Sequence, residues 1–348
     1  MRDRWPGEST RLQRKPGALA RAAIKGAWLL YRLVPPSLRS RLGGVGRGAV
    51  HALVEADLFP AASFSLRHNG TSFKLYVVKD RFWAFSAYSR WADGTAVYER
   101  VMLECLTRLL RGMAHPGFID VGAFMGHYAC YATALLGDKE ETYAIESNPQ
   151  YYSALLRSIE LNGFSKLKAF NVVLSDRVEA AGIDKQTVLL FEPQETRTHS
   201  MTLDELCRRE GIRPKIVKID VHGSEGKVLL GMGDIMSECL EYILLELSPL
   251  DVLRQYSGAM GRSDILTHLE QHGFHVFHMA GHRYPGSEGL RQALEAGFAY
   301  RRLNAKSSDL LLFDRPQDVF VLCSKRADLE TILGPSVADP GLELDSLV

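Results

Sequence analysis

The sequence predicts an α/β protein whose core is a mostly parallel sheet with helices on both faces. Between about residues 115 and 280, short apolar segments typical of buried strands alternate with longer segments of helical periodicity. Acidic residues directly follow several of the apolar segments, and ligands of parallel sheets bind at the carboxyl ends of strands. At 348 residues the chain is long enough to bury a large core.

We expect four segments along the chain. Residues 1–50 form a basic N-terminal arm, residues 51–114 form a β-hairpin and helix that precede the core, residues 115–326 form the α/β domain, and residues 327–348 form an acidic tail. The sequence contains no recognisable internal repeat.

The arm differs in charge from the rest of the chain. Residues 1–50 hold eleven Lys and Arg against two Asp and Glu, a net of +9, whereas the whole chain is +1. Residues 18–34 have helical periodicity, with Arg21, Lys25 and Arg32 on one stripe. Such a helix can contact an anionic membrane peripherally, dock on the body, or act as an organelle transit peptide, and these alternatives stay open. Nucleic-acid binding is disfavoured because the basic charge does not continue into the body.

Composition and cysteine usage favour a cytoplasmic protein, either free or at the membrane periphery. No apolar segment is long enough to span a bilayer, and no secretory signal is recognisable. Without a Cys-x-x-Cys motif, the cysteines are expected to be buried free thiols in a reducing compartment. They are Cys105, Cys130, Cys207, Cys239 and Cys323.

A β-hairpin and a helix are expected before the core. Residues 63–67 and 72–77 alternate in polarity, and Asn69-Gly70 between them suits a type I′ turn. Helical periodicity follows over residues 97–113.

The core strands and helices then alternate. Strands are expected near 117–122, 142–146, 168–174, 215–221 and 242–247, and helices near 126–136, 149–162, 202–210, 223–232 and 263–272. Asn148-Pro149 is a helix start signal, Gly163 a stop signal, and Thr202 with Glu205 matches a capping box.

The C-terminal part of the core is expected to close the sheet. One closing strand is predicted near 274–279 and another near either 309–313 or 318–324. The intervening residues 282–308 are a candidate lid or substrate loop.

The first core strand carries Asp120 and ends in a turn with Gly122 and Gly126. A glycine turn at a helix N-terminus lets the backbone approach a cofactor. Twenty residues past Gly126, the next strand ends in Glu146, whose carboxylate can accept hydrogen bonds from two ribose hydroxyls. This pairing indicates a cofactor with an adenosine half.

The spacing of the glycine turn favours S-adenosylmethionine over a dinucleotide. Dinucleotide sites prefer Gly-x-Gly-x-x-Gly because the backbone must approach a pyrophosphate, whereas this turn reads Asp120-x-Gly122-x-x-x-Gly126. Asp120 would repel phosphates but could help to place a cationic sulfonium. An NAD(P)-dependent oxidoreductase and a cofactor-free domain remain alternatives.

Ten residues are candidates for binding this cofactor. Glu146 would bind the ribose, and the glycines with Ala123 would let the turn approach the methionine part. Phe124 and Tyr128 could pack on the cofactor or in the core, and Asn148 could line the pocket or only cap its helix. The set is Asp120, Gly122, Ala123, Phe124, Gly126, Tyr128, Glu146, Asn148, Ser175 and Asp176, of which Asp176 could bind the adenine amino group or be a turn acid.

Four motifs occur in a defined order. They are D-V-G-A-x-x-G from Asp120, T-L-D from Thr202, K-I-D-V-H-G-S-E from Lys218, and a strand ending in Glu246. The ordered set resembles the FkbM family of S-adenosylmethionine-dependent methyltransferases over roughly residues 95–280.

This resemblance implies a Rossmann-like class I methyltransferase fold with a seven-stranded sheet that has an antiparallel edge strand. It also implies S-adenosyl-L-methionine as the cofactor and O-methylation of a sugar or secondary-metabolite hydroxyl, with a small molecule or glycan as acceptor. His222 stands where the family usually has Glu, so a non-catalytic binding protein of this fold stays an alternative.

The candidate catalytic residues are Asp220, His222 and Glu225. Oxygen methylation requires deprotonation of the acceptor hydroxyl, and Asp220 and His222 can supply a base because alternate strand residues share a face. Glu225 begins the next helix and could orient the acceptor or cap that helix. A purely structural histidine is equally compatible with His222.

No metal is predicted, since a pattern such as His-Glu-x-x-His is absent. The weaker histidine candidates are His127 and His199. Whether the acceptor atom is oxygen or nitrogen, and the oligomeric state, are left open by the sequence.

Overall fold

The computed structural model describes residues 62–77, 99–183, 197–257, 260–280, 297–303 and 319–337. Apart from Ala62 and Val77, these residues belong to one compact unit. The expected basic arm with its helix at 18–34, the alternative strand at 309–313 and most of the candidate lid at 282–308 lie outside the described residues.

The hairpin and helix predicted before the core are both present. Strands β1 (Ala62–His68) and β2 (Thr71–Val77) are joined by Asn69 and Gly70, which have the positive φ values of 46° and 81° that the predicted turn requires. Helix α1 (Arg100–Gly112) follows and buries its apolar stripe.

Eleven further strands follow in the described part of the chain. They are β3 (Phe118–Val121), β4 (Thr142–Ile145), β5 (Leu167–Phe170), β6 (Val173–Leu174), β7 (Glu179–Ile183), β8 (Arg197–Met201), β9 (Ile216–Ile219), β10 (Tyr242–Leu247), β11 (His275–Met279), β12 (Tyr300–Leu303) and β13 (Val319–Ser324).

The main sheet has the order β12-β11-β13-β10-β9-β3-β4-β5. The pairs from β10 through β9, β3 and β4 to β5 are parallel, whereas β13 is antiparallel to both β10 and β11. The predicted class I fold is therefore confirmed. The sheet has eight strands rather than the predicted seven, because β12 lies within the stretch expected to be a loop and pairs antiparallel with β11.

Eight further helices connect or follow these strands in the described residues. They are α2 (His127–Leu135), α3 (Pro149–Asn162), α4 (Leu203–Glu210), α5 (Glu225–Leu230), α6 (Gly233–Glu238), α7 (Leu250–Tyr256), α8 (Arg262–Gln271) and α9 (Glu330–Leu333). The predicted cap at Asn148 is confirmed, since its side chain accepts from the first-turn amides of α3. Of the capping box predicted for Thr202 and Glu205, the Thr202 side chain accepts from the amide of Glu205, whereas the Glu205 carboxylate pairs with Arg208 and Arg209.

One predicted strand is divided, and one helix was not predicted. The strand predicted at 168–174 ends at Phe170 in the main sheet, and β6 instead joins a three-stranded sheet of order β6-β8-β7. The helix predicted at 223–232 is α5, and α6 follows it as an additional helix. The chain turns between them at Gly231, where a Cβ would lie 2.2 Å from the Ser175 carbonyl oxygen, so that contact requires glycine.

The order of strands reverses where β3 meets β9. From β3 the chain builds outward through β4 to β5, and it then returns to add β9 on the other side of β3. In open parallel sheets the crevice at such a reversal, at the carboxyl ends of the strands, is where ligands bind. All four residues of each of these two strands are buried, so the sheet provides a rigid floor for this crevice.

Candidate functional site

The turn after β3 depends on glycine at two positions. Gly122 has a φ of 76°, and a Cβ there would lie 1.8 Å from the Asp220 carbonyl oxygen. Gly126 has a φ of 94°, and a Cβ there would lie 2.7 Å from Leu155 Cδ1. The amides of Gly122 and Ala123 both donate to the Ile145 carbonyl at 3.0 Å. These contacts fasten the turn to the ends of β4 and β9.

Glu146, directly after β4, lies against this turn. Its Oε2 accepts a hydrogen bond from the Phe124 amide at 2.8 Å, and its Oε1 accepts one from the Asn148 amide at 2.7 Å. The residue is buried, with 7% exposure, and burial raises its pKa to about 7 although both hydrogen bonds lower it. Each carboxylate oxygen keeps acceptor capacity, so further donors would stabilise the charged form.

Asn171, which the sequence interpretation missed, supports Glu146 from the next strand. The Asn171 side-chain amide donates to the carbonyls of Glu146 and Ser147 at 2.7 and 3.0 Å. An asparagine directly after the third strand of a parallel sheet was the available signal. It fixes the backbone that carries the Glu146 carboxylate.

A buried ion-pair cluster lies beneath the crevice. Lys218 Nζ is 3.3 Å from Asp120 Oδ1 and 3.5 Å from Asp220 Oδ2, and it lies over the Tyr128 ring at 4.9 Å from the centroid. Burial opposes the charged ammonium, but Asp120 and Asp220 outweigh that effect and raise the pKa of Lys218. The other oxygen of Asp120 accepts from the Ala129 amide at 3.1 Å.

Two of the candidate cofactor-binding residues, Asp120 and Tyr128, lie next to Lys218. Asp120 is fully buried against it, and Tyr128 donates its hydroxyl to Glu99 Oε2 at 2.7 Å. Both therefore support the crevice from below. Lys218 was not singled out from the sequence, although a lysine inside the apolar strand Ile216–Ile219 indicates a partnered buried cation.

Asp220, His222 and Glu225 lie together after β9. Asp220 donates its amide to the Val121 carbonyl at 3.1 Å, which places it beside the glycine turn. His222 Nδ1 is 3.7 Å from Asp220 Oδ1, and the His222 side chain is 54% exposed. Glu225 is fully buried, and its Oε1 accepts from the Gly223 amide and from the Ser248 hydroxyl. Of the three side chains, only that of Glu225 is fully buried.

The remaining candidates have local partners. Phe124 packs its ring on Tyr151, with the centroids 4.3 Å apart, and Asn148 caps α3. Ser175 donates its hydroxyl to Asp176 and its amide to the carbonyl of Met201 in the small sheet. The structure thus joins Ser175 and Asp176 to that sheet.

The weaker histidine candidates differ in position. His127 is buried beside the rings of Phe73 and Tyr128, and burial lowers its pKa to about 3. The side chain of His199 lies outside the described residues.

The described residues also bear on the expectations for metal ligands, membrane-spanning helices and free thiols. Within the described ranges, no group of three or more His, Cys, Asp or Glu is placed to hold a metal ion. No helix in the part of the chain that the structure describes is long and apolar enough to cross a membrane. All five cysteines are free thiols; Cys239 is half-buried and the others are buried.

Residues 120–276 match a family model described as the methyltransferase FkbM domain. The matched segment runs from β3 to β11 and includes Glu146, Lys218 and Asp220. No curated protein matches the chain.

Several solved structures are similar to the chain at low sequence identity. Precorrin-6y C5,15-methyltransferase from Geobacter metallireducens is 16% identical, covering 65% of this chain and 87% of its own, with a TM-score of 0.34. Methyltransferase FkbM from Methylobacillus flagellatus is 13% identical, covering 59% of this chain and 42% of its own, with a TM-score of 0.37. Magnesium protoporphyrin IX methyltransferase from Synechocystis, solved with bound SAM, is 14% identical, covering 66% and 79%, with a TM-score of 0.32.

Proposed function

We propose that residues 120–276, which match a family model described as the methyltransferase FkbM domain, transfer a methyl group from S-adenosylmethionine to a hydroxyl of a sugar or other small-molecule acceptor. The observation that carries the proposal is the buried Glu146 carboxylate against the glycine turn, at the strand reversal where parallel sheets bind ligands.

The site fits the adenosine half of the cofactor. Glu146 is desolvated, and the only hydrogen bonds to its side chain in the described residues come from the amides of Phe124 and Asn148. A ribose has two adjacent hydroxyls, and a carboxylate with free lone pairs on both oxygens can accept from both. The cost of burying the Glu146 charge is then offset by the ligand.

The charge of the crevice fits the sulfonium. Asp120 and Asp220 carry two negative charges against the single positive charge of Lys218. With Glu146 ionised, the excess negative charge at this edge of the sheet favours a cation.

When bound, S-adenosylmethionine supplies an electrophilic methyl carbon, whose bond to sulfur breaks as the acceptor oxygen attacks, the electron pair remaining on sulfur. The leaving thioether needs no proton, so the residues of this chain orient the acceptor and remove its proton. The side chains of Asp220 and His222 lie 3.7 Å apart after β9, which supports assigning the base to this pair. This base is the reason to propose oxygen as the acceptor atom.

Methyl transfer from labelled S-adenosylmethionine to fractionated glycan and small-molecule extracts tests the proposal. We expect wild type to label at least one fraction and Asp220→Asn, which removes the carboxylate beside His222, to lower the rate by about 100-fold or more, in the range for disabling a general base. Asp234→Asn is the control, because Asp234 is an exposed acid on α6. Absence of labelling in every fraction, or equal rates for the two variants, contradicts the proposal.

A further inference from the structure

The turn that carries His222 has an unusual backbone. His222 has a φ of 48° and Gly223 a φ of 106°, so two consecutive residues lie at positive φ between β9 and α5. Histidine adopts this region at a cost in free energy. Such a conformation persists only where the surrounding structure over-determines it.

Hydrogen bonds hold both polar groups of the Gly223 backbone. Its amide donates to Glu225 Oε1 at 3.0 Å, and its carbonyl accepts from the Ser257 hydroxyl at 2.5 Å. The same Ser257 oxygen accepts from the Gly226 amide at 3.0 Å. Glu225 and Ser257, 0% and 3% exposed, therefore fix the turn from both sides.

A second layer of contacts fixes Glu225 itself. The Ser248 hydroxyl donates to Glu225 Oε1 at 2.8 Å. The Ser248 carbonyl in turn accepts from Nε and Nη2 of Arg262 at 3.0 and 2.9 Å, and Arg262 is buried. The turn is thus linked to the end of β10 and to the start of α8.

Packing against α7 removes the remaining freedom of the turn. A Cβ on Gly223 would lie 2.8 Å from Val252 Cγ1 and 3.0 Å from Tyr256 Cδ2. Only glycine fits this approach, and the turn cannot move further toward α7.

We propose that Glu225 and Ser257 are positioning residues that clamp the His222–Gly223 turn and thereby hold the His222 imidazole beside Asp220, where it receives the proton of the methyl acceptor. The inference rests on the proposed function. In the step it serves, the acceptor O–H bond breaks and its proton moves to the imidazole, while the methyl carbon bonds to the oxygen as its bond to sulfur breaks and the electron pair stays on sulfur.

Glu225 is fully buried, so we assign it a positioning role and not direct contact with the acceptor. Its Oε2 has no hydrogen-bond partner within the described residues, and burial raises its pKa to about 7. The carboxyl can therefore carry a proton on Oε2 while Oε1 keeps both of its hydrogen bonds. Glutamine reproduces that arrangement, with an amide nitrogen in place of the protonated oxygen.

The test compares four variants with wild type by NMR of histidine labelled with ¹³C at Cε1, without cofactor. A fifth variant, His222→Asn, assigns the His222 peak. We expect Ser257→Ala and Glu225→Leu to shift or broaden that peak, and Glu225→Gln to leave it near the wild-type position. The control is Ser237→Ala, because the exposed Ser237 hydroxyl donates to a glycine carbonyl, that of Gly233, away from the turn.

Binding and kinetics of the same variants provide the second readout. In Ser257→Ala and Glu225→Leu we expect kcat for methyl transfer to fall by about tenfold or more, since small displacements of catalytic groups have effects of this size. The Kd for S-adenosylhomocysteine should stay within about twofold of wild type, because the residues we assign to the cofactor follow β3 and β4, whereas the two altered side chains bond the turn after β9. Glu225→Gln should retain most of the activity.

An unchanged His222 peak in folded Ser257→Ala overturns the proposal, and this single-hydroxyl variant decides the matter if Glu225→Leu does not fold. Equal loss of activity in Glu225→Gln and Glu225→Leu also overturns it, since the charge rather than the clamp would then be required. A wild type that transfers no methyl group contradicts the proposed function, whereas the NMR comparison still reports on the clamp.

Discussion

Glu146 is a carboxylate whose charge the protein alone does not fully compensate. Two backbone amides donate to it, yet burial keeps its pKa at about 7, well above the ordinary value of 4.5. A ligand that supplies two hydroxyl donors binds the ionised form and releases any proton present. Cofactor binding at this residue should therefore depend on pH near neutrality.

The first prediction is that S-adenosylhomocysteine binds more weakly as the pH falls below about 7. Below the pKa of free Glu146, the carboxyl must lose a proton before it can accept both ribose hydroxyls, so Kd should rise by about tenfold per pH unit. Titration calorimetry between pH 5.5 and 8 measures this dependence. Glu146→Gln should bind weakly at every pH, and a flat wild-type Kd across the range would exclude the linkage.

Lys218 pairs with two acids at the strand reversal. It is almost completely buried, and its ammonium lies between Asp120 and Asp220. Removing one partner of a buried ion pair leaves an uncompensated charge, whereas removing both leaves none.

The second prediction is that Lys218→Met lowers the free energy of unfolding by roughly 3–5 kcal/mol. Adding Asp120→Asn should restore part of this loss, because the buried carboxylate is then gone. Urea unfolding of the two single variants and the double variant gives the coupling. Additive losses would mean that the pair does not interact as the distances indicate.

At the scale of elements, the turns that join strands to helices determine the shape of the crevice. The turn from β3 to α2 crosses the end of β9 so closely that Gly122 has no room for a side chain. Gly163 at the end of α3 also has a positive φ, 67°, but nothing lies within 4 Å of a Cβ placed there. A side chain at Gly163 would therefore cause backbone strain alone, whereas a side chain at Gly122 would also cause a steric clash.

The third prediction compares alanine at these two positions. Gly163→Ala should cost roughly 1–2 kcal/mol, the cost of the left-handed conformation for a residue with a side chain. Gly122→Ala should cost about 1–3 kcal/mol more, since a backbone oxygen must also move, and it should abolish binding of S-adenosylhomocysteine. Equal unfolding free energies for the two variants would show that the turn relaxes freely.

Local signals predicted the elements well, and long-range contacts account for the differences. Asn148 and Thr202 cap their helices through bonds to amides two or three residues away, so the sequence pattern suffices to find them. The break at Asn171 depends on carbonyls of Glu146 and Ser147. The close approach of Gly231, before the unpredicted α6, depends on the distant Ser175 carbonyl, and neither contact is visible in a linear pattern.

In the candidate site too, local sequence signals identify some residues, whereas long-range contacts determine the others. Glu146 and Asp220 follow apolar segments, so the rule that ligands bind at strand ends finds both. The burial of Asp120 with Lys218 depends on the pairing of β3 with β9, which places Asp120 opposite Lys218 in the register. The clamp on Gly223 depends on α7 and on Ser257, about thirty residues later in the chain.

At the scale of the whole molecule, the sheet buries several charged groups at one edge, and this has a cost in stability. Glu146 and Glu225 each have a pKa of about 7 in the folded protein against 4.5 as the ordinary value. The folded state therefore binds protons more tightly than the unfolded state between these values. The stability contribution of both groups is fully present below about pH 4.5 and is lost as the pH rises through about 7.

The fourth prediction is that replacing Glu225 by glutamine stabilises the cofactor-free protein above pH 7, whereas Glu146→Gln does not, because its amide nitrogen would face a backbone amide donor. The expected gain for Glu225→Gln is on the order of 3 kcal/mol as an upper limit, and it should vanish near pH 4.5, where wild type carries the proton. Urea unfolding at pH 5 and pH 8 measures the difference. A gain of equal size at both pH values would point to altered packing instead of titration.

Calorimetric titration with S-adenosylhomocysteine tests the central claim most directly. We expect wild type to bind with a Kd on the order of micromolar and Glu146→Ala to bind about 100-fold more weakly, since two hydrogen bonds to a charged group are lost. Glu160→Ala, which removes an exposed acid on α3, should bind like wild type. Absence of binding to folded wild type, or equal binding by Glu146→Ala, would contradict the assignment of this crevice as the cofactor site.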